Sequence, residues 1–266
     1  MKVSIFSRRS TWALPYALFL GLFVALPLVL IVIFAFTNNQ GELSLLNFEK
    51  FITQPEAVNT FIYSIGIALV TTFLCILLGY PAAYILSNKN LNRSQTTVML
   101  FILPMWINIL VRTLATVALF DFAHIPLGEG ALIFGMVYNF LPFMILQVNT
   151  ALCKMDHSLL EASADLGADK AQTFLRVTLP LSLPGVINGI TLVFLPAVSS
   201  FFIPKLLGGG QYFLIGNLIE NQFITVGEWN FGSAISMIMA IVMMLLMMAV
   251  RKAELFTQGG KEEEES

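Results

Sequence analysis

Charge is what this chain has least of. Only 11% of its 266 residues are Asp, Glu, Lys or Arg, against about 25% in an ordinary soluble domain. That shortage excludes a water-soluble globular fold. Cysteine is nearly absent too. Cys75 and Cys153 both fall in apolar stretches, so they read as small buried hydrophobes rather than a disulfide. His124 and His157 have no Cys or His neighbours at ligand spacing, which leaves no expected metal site. No G-x-x-x-x-G-K-[ST] sequence occurs, so the chain has no P-loop with which to hydrolyse ATP. No clustered nucleophile, acid–base pair or metal set supports an enzyme, and no nucleic-acid partner is expected.

What fills the chain is apolar residue, 57% of the total. The runs are continuous, unlike the alternating strands of a membrane β-barrel, and each is long enough to cross a hydrocarbon core as a helix. Six spans are expected, over 14–36, 61–86, 98–120, 131–153, 185–207 and 231–250. The first is too long for a signal-peptide core and lacks a small-residue cleavage site, so it is expected to remain. Eleven of the fourteen cations then fall on one side: Lys2, Arg8 and Arg9; Lys89 and Arg93; Lys154, Lys170 and Arg176; and Arg251, Lys252 and Lys261. Only Lys50 and Lys205 fall on the other side, and Arg112 lies within a span. The positive-inside rule puts both termini in the cytoplasm. The expectation is an all-α integral membrane protein of six transmembrane helices in a single domain. The outer side carries Glu42, Glu49, Glu56, Asp121, Glu129, Glu220 and Glu228 against two cations, a net −5. That balance suits a cationic substrate or a basic docking surface, although depletion of outer cations alone would produce it. The tail, 253–266, ends in KEEEES and is expected to be disordered.

The cytoplasmic segment 154–184 contains EASADLGADKAQTFLRVTLP, residues 161–180, with five charges in twenty positions. It reads as two short helices. Asp156 caps the first, and Gly167 allows a φ > 0 turn. Asp169 with Gln172 makes a capping-box pattern for the second, and Pro180 is expected to stop it. Such an amphipathic pair either lies on lipid or docks into a soluble partner.

The spacing Glu161-Ala162-Ser163, three residues, Gly167, nine residues, Val177, one residue, Leu179-Pro180 resembles the EAA loop of bacterial ABC importer permeases, with Ser163 and Val177 as conservative departures from Ala and Ile. LGYPAAYIL (78–86), LPMWINILVRTLA (103–115), LPFMILQ (141–147), FLPAVSSFFIPKLLGGG (194–210), LIGNLIENQF (214–223) and WNFGSA (229–234) are similar to the PotB-type permeases of spermidine/putrescine importers. Permeases for iron, sulfate or other small solutes share that architecture. The resemblance implies a MetI-like fold in the bacterial cytoplasmic membrane. It also implies a homologous second permease of the PotC type, two copies of a PotA-type ATPase, and an extracytoplasmic PotD-type binding protein. No cofactor is then bound directly; ATP and Mg belong to the ATPases. Glu161, Ala162, Ser163, Gly167, Val177, Leu179 and Pro180 become the expected ATPase-coupling residues. A stand-alone secondary transporter or a membrane enzyme are the readings from other classes.

Other residues stand out beside the motif. Arg112, inside a span, costs about 2.5–3.5 kcal/mol on insertion scales, so a cavity or partner is expected for it. A polycation would repel it, which favours a gating or structural ion pair with an outer carboxylate or the partner subunit. Glu220, Glu228 and Trp229, with Asp121 and Glu129, are candidate cation contacts, because an acid beside an aromatic ring holds an amine. Trp229 reads equally well as an interfacial anchor. Asn108 and Tyr138 are candidates for the path lining. Pro196 and Pro204, with Gly189, predict a kinked or broken fifth span whose freed carbonyls need shelter. Phe194, Phe201 and Phe202 are a candidate hydrophobic gate, or core packing.

Overall fold

A computed structural model describes residues 15–38, 40–87 and 96–262. Among them the chain is helical, with an isolated β-bridge between Thr37 and Leu43. The helices are α1 (Pro15–Ala35), α2 (Leu46–Thr53), α3 (Pro55–Ser87), α4 (Thr96–Ile102), α5 (Ile109–Phe122), α6 (Glu129–Lys154), α7 (His157–Asp165), α8 (Lys170–Ser199), α9 (Phe202–Leu207), α10 (Ile215–Asn221) and α11 (Trp229–Glu262). Helices α1, α3, α6, α8 and α11 are long and apolar enough to cross a membrane. A sixth crossing exists if the bent pair α4–α5 is one span.

That bend is the main departure from the expected third span. The chain turns by 98° between Thr97–Trp106 and Ile109–Phe122. Pro104 sits in a 3₁₀ turn, Leu103–Trp106, and Ile107 is extended. Asn108 then starts a new helix, its side chain accepting a hydrogen bond from the Leu110 amide at 2.8 Å. An N-cap of this kind satisfies one of the amides a restarted helix exposes.

Two compact units divide the chain. The first joins Met1–Val58 to Ile219–Val242. Its described part begins with α1, which is apolar on every side (mean hydropathy 3.0) and exposed along its length. The last carbonyls of α1 would be orphaned; two asparagines answer them. Asn47 Nδ2 donates to the Ala35 and Thr37 carbonyls at 3.2 and 2.9 Å. Asn230 Nδ2 donates to those of Phe34 and Thr37 at 3.2 and 2.7 Å.

The second unit joins Asn59–Leu218 to Met243–Ser266. Its core is α6, with Leu132, Met136, Met144, Ile145 and Val148 buried, against Val193, Ala197 and Val198 of α8 and Ile203 and Leu207 of α9. Glycines let these helices approach, as small residues do between membrane helices. A Cβ on Gly185 would collide with the Ala151 side chain and come within 2.9 Å of the Gln147 carbonyl. One on Gly189 would strike Met144.

Three expectations change. Pro180 does not stop a helix: α8 runs through it from the segment after α6 into the span. The reason is the π-helical turn Phe174–Thr178, where the Leu179 amide reaches back five residues to the Phe174 carbonyl. The wider turn makes room for the proline ring and asks nothing of its missing N–H. The tail expected to be disordered from residue 253 is helical as far as Glu262, where Arg251, Lys252, Ala253, Glu254 and Leu255 favour continuation; residues 263–266 lie outside the described residues. Cys75 is buried, but Cys153 is exposed, so only the former is a core hydrophobe; both thiols are free.

Candidate functional site

The segment after α6 is built from its caps. Asp156 starts α7 by accepting from the Ser158 amide at 3.0 Å. Gly167 takes φ +79°, which only glycine adopts at no cost, and reverses the chain. Asp169 and Gln172 then exchange hydrogen bonds of 2.7 and 3.2 Å in a full capping box at the start of α8. The Ser163 and Thr173 hydroxyls, 2.9 Å apart, fasten the two arms to each other. Glu161, Ala162 and Gly167 are exposed and Ser163 partly so. Leu166 and Leu175 are also exposed, by 88% and 60%. A carboxylate and two bare leucines on a rigid turn are what a docking knob needs. Val177 and Leu179 are half-buried and Pro180 exposed.

The knob is braced on the spans. The Phe174 ring lies between Tyr80 and Tyr84 of α3, edge-on to both, with centroids at 5.8 and 5.6 Å. Beside it the buried Tyr80 and Ser182 hydroxyls share a 2.8 Å hydrogen bond. A cavity of about 470 Å³ opens where α6, α7 and α8 meet, with Gln147, Lys154, Asp156 and Asn188 in its wall.

In the first unit a polar cavity of about 340 Å³ is lined by Asn38, Gln40, Asn47, Lys50, Glu228, Asn230 and Phe231, with Leu46. Lys50 Nζ donates to Glu228 Oε2 and lies 4.4 Å from the centre of the Phe231 ring. Trp229 turns elsewhere. It is 55% exposed and packs against Phe34 and Phe223, with centroids at 6.3 and 5.5 Å.

In the second unit Arg112 is 6% exposed, and its guanidinium carbon sits 5.8 Å from the centre of the Tyr138 ring. Its Nε and Nη1 are buried without a hydrogen-bond partner, and among the described residues it forms no ion pair. The fifth span breaks at Ser200–Phe201, four residues after Pro196, while Pro184 and Pro196 themselves stay inside α8. The Phe201 carbonyl, which takes the Lys205 amide at 3.2 Å as the next helix begins, also accepts from Nδ2 of the buried Asn217 at 2.8 Å, and Asn217 Oδ1 accepts from the Leu214 amide at 3.1 Å. Ser64 accepts from the Ile215 amide at 2.7 Å.

The chain is similar to known transport subunits. Residues 75–253 match the model of the family described as binding-protein-dependent transport system inner membrane component. The spermidine/putrescine transport system permease protein PotB of Escherichia coli K12 is 35% identical over 88% of this chain and 93% of its own. Two solved structures share the fold. A chain of a bacterial ABC transporter that imports the acidic polysaccharide alginate has a TM-score of 0.68 at 16% identity, covering 92% of this chain and 93% of that one. A chain of the MetNI methionine ABC transporter has 0.64 at 19% identity, covering 75% and 95%. The chain belongs to the binding-protein-dependent permeases. It is therefore a multi-pass membrane subunit of an ABC importer with the MetI-like fold, not an enzyme. Its ATPase is a separate subunit, and a binding protein is a further partner.

Within this permease the site residues read from sequence separate into groups. The residues expected to couple to an ATPase, Glu161 to Pro180, are gathered on the capped turn and the start of α8. Glu220, Glu228 and Trp229 belong to the first unit; Asn108, Asp121 and Glu129 belong to the second. Glu129 accepts a 3.1 Å hydrogen bond from Tyr63, and Asn108 is occupied as an N-cap. The Phe201 and Phe202 rings touch, with centroids 4.0 Å apart, whereas Phe194 is buried. The ring beside Glu228's cation is Phe231, which the sequence reading missed. The signal was available: 228 and 231 are three apart, one helical turn. Nothing in the sequence pointed to Lys50, 178 residues away.

Proposed function

We propose that the chain is one of the two permease subunits of an ATP-driven polyamine importer in the bacterial cytoplasmic membrane, with both termini in the cytoplasm. The observation that carries the reading is the 35% identity, along 93% of its length, to a permease named for spermidine and putrescine. The excess of outer carboxylates agrees with a polycationic cargo. The partners are a homologous permease of the PotC type, two PotA-type ATPases and a PotD-type binding protein. ATP and Mg are held by the ATPases, and this chain binds no cofactor itself.

The turn from Glu161 to Gly167 fits a groove of one ATPase. ATP draws the two ATPases together, the turns move with them, and the pore passes from inward-open to outward-open. That switch requires contacts whose energies differ between the two states. Glu161 and Gly167 supply them at the ATPase, and Arg112, a buried cation with unsatisfied donors, supplies one in the membrane by meeting a carboxylate of the partner permease. Phe201 and Phe202, beside the break in the fifth span, form the hydrophobic gate, with Phe194 packed behind.

Uptake by proteoliposomes holding the complete complex, given ATP, binding protein and competing polyamines, tests the reading. ATP-dependent spermidine or putrescine uptake is expected. Uptake of another solute instead would overturn the substrate and leave the architecture standing. Glu161→Arg is expected to abolish co-purification of the ATPase; an intact, active complex would refute the docking assignment.

A further inference from the structure

We propose that Glu228, the ring of Phe231 and the amides around them form a subsite for one primary ammonium group of the cargo, and that Lys50 fills it when the cargo is absent. The inference rests on the polyamine reading above. It deepens that reading by naming the atoms that take the cation.

The evidence is the company that Lys50 keeps. Its ammonium touches a carboxylate oxygen and the face of an aromatic ring at 4.4 Å. Charge and ring quadrupole together are the general means of holding an alkylammonium. The end of a polyamine is chemically a lysine side chain without its backbone: a primary ammonium on a run of methylenes. Lys50 is thus an internal stand-in for the ligand, and its position marks where the ligand's head goes. An ammonium has three donors, and Glu228 takes one here. Asn47 and Asn230 line the same cavity with their Nδ2 atoms committed to the α1 carbonyls, which leaves Oδ1, an acceptor, as the open end of each amide. These acceptors suit a cation.

The stand-in is displaceable. The Lys50 and Glu228 side chains are 37% and 42% exposed, and ion pairs this open to water contribute little to stability. Lysine carries its charge on a flexible stem and swings aside without unfolding anything. A cavity of about 340 Å³ takes the head and first methylenes of a polyamine and leaves the rest of the chain to continue along the path. Exchange of one ammonium for another keeps the charge of the site constant, so Glu228 is paired in both the empty and the loaded state.

The test uses the whole importer in lipid nanodiscs without its binding protein, with radiolabelled spermidine as the probe and n-butylammonium as competitor. K50M removes the resident cation, and spermidine is expected to bind about tenfold more tightly than to wild type, with n-butylammonium competing. K50R keeps a resident cation and is expected to match wild type. Adding E228Q to K50M is expected to erase the gain. F231L, added to K50M, keeps the apolar bulk and is expected to weaken binding about threefold relative to K50M alone. Should K50M fail to assemble, K50Q takes its place in the same comparisons. Unchanged binding in K50M, or a K50M gain that survives E228Q, overturns the subsite and makes the ion pair a structural tie. ATP-driven spermidine uptake by wild type is measured alongside. Its absence overturns the polyamine reading, whereas uptake with unaltered binding in the variants overturns only the subsite.

Discussion

Phe174 holds the turn proposed to dock the ATPase against α3, and Phe174→Ala isolates that grip. The ring makes two edge-on contacts, to Tyr80 and Tyr84, with interplanar angles of 86°. Each such aromatic pair contributes about 0.5–1.5 kcal/mol beyond burial, so the clamp holds the turn to α3 by about 1–3 kcal/mol. Energies of that size, between two sites, correspond to a bias of about 5- to 150-fold. Truncation leaves the docking surface itself untouched, since Glu161, Leu166 and Gly167 lie outside the clamp. The ATPase is therefore expected to bind and to hydrolyse ATP, while its movement is passed on poorly. The assay is spermidine uptake per ATP hydrolysed in proteoliposomes. At least a fivefold fall in that ratio is expected, with ATPase co-purification unchanged. Phe174→Leu, which fills the space without the ring, is expected to fall between the two. An unchanged ratio in Phe174→Ala would refute the clamp as a transmission element, and loss of the ATPase would show that the clamp belongs to the dock itself.

Arg112→Leu is expected to abolish uptake while the complex still assembles, because an uncharged side chain is tolerated in the span; unchanged uptake would remove Arg112 from gating. Gly185→Leu is expected to lower the yield and melting temperature of the complex, since even a Cβ collides with Ala151 and overpacking costs about 1–3 kcal/mol. Asn217→Leu is expected to destabilise the break in the fifth span by about 1–3 kcal/mol, because the buried Leu214 amide loses its side-chain acceptor and the Phe201 carbonyl its side-chain donor; thermal unfolding of the detergent-solubilised complex reads it.

Local signals in the sequence were read well where a short stretch decides the outcome by itself. Asp156, Gly167 and the Asp169–Gln172 box act on neighbouring amides, and each stands where its residue type and spacing place it. Proline misled at 180 because its effect depends on what the preceding turn does. Pro180 is silent behind a π-turn, whereas Pro196 and Pro204 flank the break that they predict in the fifth span. The real breaks, at Ile107–Asn108 and Ser200–Phe201, are held by partners: an N-cap in one case, and in the other the Asn217 side chain, sixteen residues further on. Hydropathy sees the apolar run and is blind to the break inside it, since a broken span and a straight one have the same composition.

The scarcity of charge carries a further consequence. In a chain this apolar, a cation away from the basic side is costly unless something near it offsets the cost, so its environment is informative. Lys50 and Arg112 meet opposite environments. Lys50 has a carboxylate and an aromatic face, and its side chain stays open to water, which leaves its ammonium exchangeable. Arg112 has an aromatic face and no carboxylate, with two donors buried and unmet. A satisfied cation can be replaced by a ligand of the same kind; an unsatisfied one gains by meeting an anion. The first property suits the subsite proposed around Glu228, and the second suits the switch proposed for Arg112.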